Sequence, residues 1–365
     1  MGTSYSPISW ESFNKMNFLL FEDNELDILF EVINKLQICF HPVYAREGKF
    51  SAHDVFDLHA VDKDVCIIAD KNLVSPICEI AVNGKLKDPV RMQKVAMFVT
   101  WSNYLNARLT CGIGLLENDT AGLSTASGEE NRLQFLHGVD NIPAMIWKDI
   151  AFGYRNCIPQ ELLFHDKVSS SKDYRFEDNL LYLCNEVSIV KIVQLIRQSG
   201  MKPIEKFLSF MEWYTDNLDI AESMVVYAAL VFSNTPHVAQ PKKAHSVCFA
   251  DVEKGIKNQA WDITYITAWS MQYYNETIDT CWMFATDDIT QKMIVVNTIP
   301  TGECGKAVDA IFCTKAEGRK LSDFSNVKLG DARIRPFKGL KEAEKVEKVR
   351  QLLDSEYSLL KGMIQ

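Results

Sequence analysis

The chain has 365 residues, 47% hydrophobic and 24% charged, with 17 Gly and 11 Pro. This balance excludes the disordered, collagenous and low-complexity classes and supplies a sizeable core, arranged as about two domains or one elaborated α/β domain at ~150 residues per domain. The formal charge of −9 means that a nucleic-acid partner would need a local basic patch, because the mean field of the molecule repels phosphate.

No run of eighteen apolar residues occurs, and Met1 to Trp10 lacks the basic region and apolar stretch of a secretory signal. The sequence therefore predicts no membrane partner and no export. Ten cysteines are scattered, none in a C-x-x-C pair, and most sit in apolar strings such as VCIIA and DTCWMF. Free buried thiols in a reducing compartment look like this, which predicts a cytoplasmic location. The seven histidines show no metal-ligand spacing, which argues against a zinc site.

Along the chain, residues 1–60 read as an N-terminal extension, an amphipathic helix near Ile28 to Phe40 followed by turn and strand material around His41-Pro42 and Gly48. Val65-Cys66-Ile67-Ile68-Ala69 is a short apolar run of the kind a parallel strand buried on both faces requires. It ends at Asp70, after which Asn72 and Ser75-Pro76 offer helix-start chemistry and Asn83-Gly84 closes the segment. Pro89 to Asn106 has helical spacing, and a small polar loop is predicted from Asn118 to Glu130.

From Leu180 to Ser233 the pattern is strongly helical, split by Gly200 and Pro203, and its third helix, Ala221 to Phe232, is apolar nearly all round and so predicted to be buried. A helix follows from about Asp251 to Tyr274 and carries Asp262. Cys281-Trp282-Met283-Phe284-Ala285 repeats the strand pattern and ends in Thr286-Asp287-Asp288; Ile294-Val295-Val296 is predicted as one more strand. Beyond Glu303 the chain turns polar, with Arg319, Lys320, Lys328, Arg333, Arg335 and Lys338 preceding a Lys/Glu-rich helix from Leu340 to Met363.

In an open parallel sheet, ligands bind beyond the C-terminal ends of the strands. Asp70 and the Asp287-Asp288 pair are predicted to stand there, and on strands ~4.8 Å apart their carboxylates would repel unless a proton or a cation lay between them. Each of these acids also suits a simpler role as the N-cap of the helix that follows. Asp262 is an acid with apolar neighbours on both sides, Trp261 and Ile263; such a residue is either paired in a cleft or poorly placed.

The order of these motifs resembles that of the PIN-like nucleases. IIADKNLVSPICEIA resembles the family's first motif, a buried strand delivering an Asp, then Asn and a helix; AWDITYITAW followed by CWMFATDD resembles its later motifs, an Asp on a helix and a strand ending in T-x-D. The family's further acid, usually a Glu, has its best match at Glu117 in GIGLLENDTAG. The resemblance implies a three-layer α/β/α fold with a central, mainly parallel sheet. It would comprise a nuclease domain over 61–300 with an inserted helical subdomain at about 180–233, followed by a C-terminal basic segment and helix over 301–365. It also implies that Asp70, Glu117, Asp262 and Asp288 are catalytic, with Asp70, Asp262, Asp287 and Asp288 available to metal and Asn72, Thr286, Arg333 and Arg335 able to touch substrate.

Carboxylates without a His or Cys set suit Mg²⁺ or Mn²⁺, which activate water for phosphodiester hydrolysis. The resemblance thus implies a metal-dependent ribonuclease of toxin or defence type, with RNA as substrate and a protein partner or antitoxin. The competing expectation is a non-catalytic scaffold on the same core. A phosphatase of the haloacid dehalogenase type is disfavoured because Asn72 stands where it needs a second Asp.

Overall fold

The computed structural model describes residues 20–22, 24–60, 63–111, 125–165, 179–298, 304–324 and 336–364. Glu117, Arg333 and Arg335 lie outside the described residues, as does Lys328.

The chain is a mixed α/β protein built on one four-stranded sheet. Its strands are β1 Cys39–Phe40, β2 Asp64–Ala69, β3 Arg108–Thr110 and β4 Thr280–Ala285, in the spatial order β1-β4-β2-β3. β2 runs parallel to both β3 and β4, and β1 closes the other edge antiparallel to β4. The two apolar runs predicted to be parallel strands in one sheet are thus direct neighbours, paired from Asp64 with Thr280 through Ala69 with Ala285.

Helices cover both faces of this sheet, which is why β2 and β4 are continuous apolar runs rather than alternating ones. On one face, Val65, Ile67, Ala69, Cys281, Met283 and Ala285 join a core with helices from the N-terminal half. These helices are α1 Glu25–Leu36, α2 Ala52–Ala60, α3 Lys71–Asn83, α4 Pro89–Tyr104, α5 Thr125–Leu136 and α6 Ala144–Ala151. On the other face, Phe40, Ile68 and Phe284 join a core with helices from the C-terminal half. Those are α7 Leu180–Arg197, α8 Pro203–Asn217, α9 Glu222–Phe232, α10 Phe249–Tyr273, α11 Ile289–Thr298, α12 Cys304–Ile311, α13 Lys315–Phe324 and α14 Glu342–Ile364.

α3 starts at Lys71, capped by Asp70, and carries Pro76 inside it rather than starting there; it stops where Gly84, at φ 73°, returns its N–H to Ile80. α4 opens on Pro89 with the Asp88 carboxylate accepting from the N–H groups of Val90 and Arg91. Every residue of α9 from Ser223 to Phe232 is buried, as an all-round apolar helix requires. α7 lies in the same core as α10 and α14, with Val187, Val190, Ile256, Ile263 and Leu360 fully buried there. None of the described helices is long and apolar enough to cross a membrane.

Two expectations are corrected. Ile294-Val295-Val296 lies in α11, not in a strand. Thr290, Gln291, Ile294, Val295 and Thr298 are its buried residues, a helical period that three β-branched residues alone do not reveal. The polar stretch toward Glu130 is helical from Thr125 onward.

The chain before α10 presses directly on that helix. A Cβ at Gly255 would lie 1.8 Å from the carbonyl oxygen of Lys242, a contact only backbone movement could relieve. Gly255→Ala is therefore expected to destabilise the protein by more than about 2 kcal/mol, despite alanine's better helix propensity. Denaturant unfolding checks this; a stabilised variant would contradict the packing.

Candidate acidic site at the strand ends

Because Ala69 and Ala285 are paired, the residues that follow them, Asp70 and Thr286, stand side by side at the C-terminal ends of two parallel strands. The Asp70 N–H donates to the carbonyl of Ala285 (2.8 Å) and the Thr286 N–H to that of Ile38 (2.9 Å), so both backbones are fixed. Asp70 is 1% exposed. Its Oδ1 accepts the Lys71 N–H at 2.7 Å, which is the capping role. Its Oδ2 accepts from Asn72 Nδ2 at 2.8 Å and from the Thr286 hydroxyl at 3.1 Å.

The Thr286 hydroxyl links two of the predicted acids, accepting the Asp288 N–H at 3.0 Å while it donates to Asp70. The Asp288 carboxylate caps α11 through the Gln291 N–H at 2.9 Å. That cap orients the first turn of α11 and places the Gln291 side chain, itself 0% exposed, among the acids. Gln291 Nε2 donates to Asp262 Oδ1 at 3.2 Å, and the same side chain lies close enough to Asp70 to favour its charged form. Gln259, one turn before Asp262 on α10, adds a longer contact of 3.4 Å to Asp262 Oδ2. From α9 comes Tyr227, whose hydroxyl is held far up its titration range by burial and, secondarily, by the charges of Asp262 and Asp288.

Asp70, Asp262 and Asp288 thus meet at one place, joined through Thr286 and Gln291. They do not form a bare cluster: among the described residues, no three of these carboxylates bring oxygens within 4.8 Å of one another. The expected single cluster of three or more of these carboxylates is therefore not formed; the Thr286 hydroxyl stands between Asp70 and the Asp288 N–H, and the Gln291 amide lies on Asp262. Asp287 is turned elsewhere and pairs with Lys94 and, at 3.5 Å, with Lys292. Burial lowers the pKa of Lys292, whose ammonium also donates to the carbonyl of Leu36 at 2.9 Å. In the basic segment, Lys320 is engaged with Glu205 at 3.1 Å.

Gln291, Lys94 and Lys292 were not expected from the sequence. Lysines on helices ordinarily read as solvated, but a glutamine falling on the buried phase of α11 is a signal that a helical reading of 289–298 would have raised.

Burial pushes the Asp70 carboxyl from its ordinary 3.8 up to about 6, even though the Gln291, Thr286 and backbone hydrogen bonds pull it down. Oxygen donors alone, three of them anionic, are the chemistry of a hard divalent cation rather than of zinc.

Elsewhere, His41, Glu276 and Cys281 bring ligand atoms within 4.8 Å of one another. His41 Nδ1 accepts the N–H groups of Val43 (3.0 Å) and Tyr44 (3.1 Å), so its proton sits on Nε2, 3.1 Å from Glu276 Oε1. No ring lone pair remains for a metal, and burial raises the Cys281 thiol far above its usual range. This trio is a structural tie between β1 and β4. A cleft of about 810 Å³ opens along the β3 edge, lined by Asn103, Arg108, Asp140, Gln272 and Trp282 among others; Asp70, Asp262, Asp287 and Asp288 do not line it.

Comparison with known proteins finds no matching family model, no similar curated protein and no similar solved structure.

Asp70 gives the metal-free protein a definite pH signature. Well below pH 3.8 it is protonated whether the chain is folded or not. As pH rises, the unfolded chain releases the proton near 3.8 while the folded one keeps it to about 6, so stability falls across that window and stays reduced above it. The loss is roughly 3 kcal/mol. In chelator, denaturant unfolding from pH 4 to pH 7 is expected to show this decline in wild type and a flatter curve for Asp70→Asn; parallel curves would contradict it.

Proposed function

We propose that the chain is a divalent-metal-dependent phosphodiester hydrolase on a PIN-like three-layer core, cleaving RNA in a toxin or defence setting. The observation that carries this reading is Asp70, a carboxylate buried at the end of a central strand and linked through Gln291 and Thr286 to two further acids from distant parts of the chain. A buried carboxylate with a raised pKa at the strand ends is where function concentrates in open α/β sheets.

Asp70 and Asp262 would hold Mg²⁺ or Mn²⁺, with Asp288 completing the acidic surroundings. When bound, the ion supplies an activated water and charge stabilisation for in-line displacement at phosphorus. The chain's own residues do the rest. Thr286 fixes the Asp70 carboxylate, and Asn72, exposed at the start of α3, stands at the rim where substrate would arrive. Lys94 and Lys292 supply the positive charge that the overall −9 lacks; a phosphate could take the place of Asp287 between them. Arg319 and Lys338, on either side of the undescribed 325–335, would extend the electrostatic path for RNA.

One observation favours a second reading, a non-catalytic scaffold with a protein partner. Asp70 and Asp288 both act as helix caps, and the acids are bridged rather than gathered.

The two readings separate on metal. The nuclease reading expects Mn²⁺ or Mg²⁺ to raise the thermal midpoint of the wild type and to support cleavage of single-stranded RNA that chelator abolishes. Asp70→Asn should stay folded while losing cleavage, since a neutral amide binds a hard cation poorly. Wild-type protein that neither gains stability from these ions nor cleaves RNA would establish the scaffold instead.

A further inference from the structure

Gln291 is fully buried, and its amide is used on one side only. The Nε2 atom donates to Asp262, with Asp70 near the same side chain, whereas Oε1 is buried with no hydrogen-bond partner. An orphaned buried acceptor is costly, and buried amides in folded proteins are nearly always satisfied at both ends. The NH₂ group is spent on Asp262 with Asp70 beside it, so the side chain stands where a cation shared by the two carboxylates would lie. Turning the terminal amide by half a rotation exchanges its nitrogen and oxygen without moving the rest of the side chain. In that orientation Oε1 would face the two carboxylates, which repels when they stand alone and ligates when a cation lies between them.

We propose that the Gln291 side-chain amide is a two-state element of the metal site: its nitrogen holds Asp262 beside Asp70 without metal, and its oxygen becomes a ligand when a divalent cation binds. The proposal rests on the metal-dependent reading above and adds a residue that this reading does not require. The Asp288 cap on the Gln291 N–H holds the backbone still, so only the amide need turn. A neutral oxygen ligand beside carboxylates also suits Mg²⁺ and Mn²⁺ better than a thiophilic metal.

The test is Mn²⁺ titration of metal-free full-length protein, with free Mn²⁺ read by electron paramagnetic resonance and stability by thermal unfolding. Wild type, Asp70→Asn, Gln291→Ala and Gln291→Glu are compared. Asp70→Asn is expected to abolish binding and Gln291→Ala to weaken it about tenfold or more. Gln291→Glu, which keeps an oxygen in place, should bind at least as tightly as wild type but melt lower without metal, because three carboxylates then face one another.

Gln291→Ala binding Mn²⁺ as tightly as wild type, while Asp70→Asn still abolishes binding, overturns the switch and leaves the metal reading standing. Wild type that binds no Mn²⁺ overturns both. Should Gln291→Ala fail to fold, Gln291→Glu carries the test, and weaker binding there than in wild type overturns the proposal.

Discussion

A carboxylate buried where two parallel strands end sets the terms for everything around it. Asp70 is placed by the register of β2 on β4, and the cost of its desolvation is partly offset by donors from Lys71, Asn72 and Thr286, with the Gln291 side chain nearby. These groups arrive by separate routes. Thr286 comes from the neighbouring strand, and Gln291 comes from the first turn of a helix that Asp288 caps. Through Gln291 the network reaches Asp262 on α10, and Tyr227 on the fully buried α9 lies within range of the same charges. The helices of 180–232 thus help to wall the site as well as the core. A small shift in the β2–β4 register would separate Asp70 from Thr286 and dissolve the arrangement, because a slip of one residue also turns each strand's side chains to the opposite face.

The parts of this that the sequence discloses are those where burial is two-sided. β2 and β4 announce themselves as continuous apolar runs because helices cover both faces, and the acids at their ends follow from that. Asp262 is noticeable as an acid among buried neighbours. β1 and β3 go unseen because they are only two and three residues long, too short for any periodicity. Ile294 to Val296 mislead because a β-branched triplet satisfies a strand template, whereas the helix shows only when Gln291 and Thr298 are counted on the same face. Gln291 and the lysines around Asp287 are invisible for a related reason: their importance lies in which residues they meet, and those partners are remote in sequence.

Charge is arranged unevenly around the strand ends. Asp287 is matched by two lysines, and at a distance Glu25 and Lys148 form a fully buried pair at 2.7 Å. The hydrogen bonds that hold Asp70 come instead from neutral donors, the Lys71 backbone N–H, the Asn72 amide and the Thr286 hydroxyl. Neutral donors satisfy hydrogen bonding but leave the buried negative charge uncompensated, which is the physical opening for a divalent ion. The same feature gives the Gln291 amide its place, since without metal a donor is needed to hold Asp262 beside Asp70.

The central claim, that Asp70 and Asp262 flank a divalent-cation site, is tested most directly by anomalous scattering from crystals grown with Mn²⁺. The account predicts a manganese peak between these two carboxylates, at about 2.0–2.2 Å from their oxygens, with the Gln291 amide turned to present its oxygen. A map with manganese only at surface carboxylates, and with Gln291 nitrogen still seated on Asp262, would contradict it.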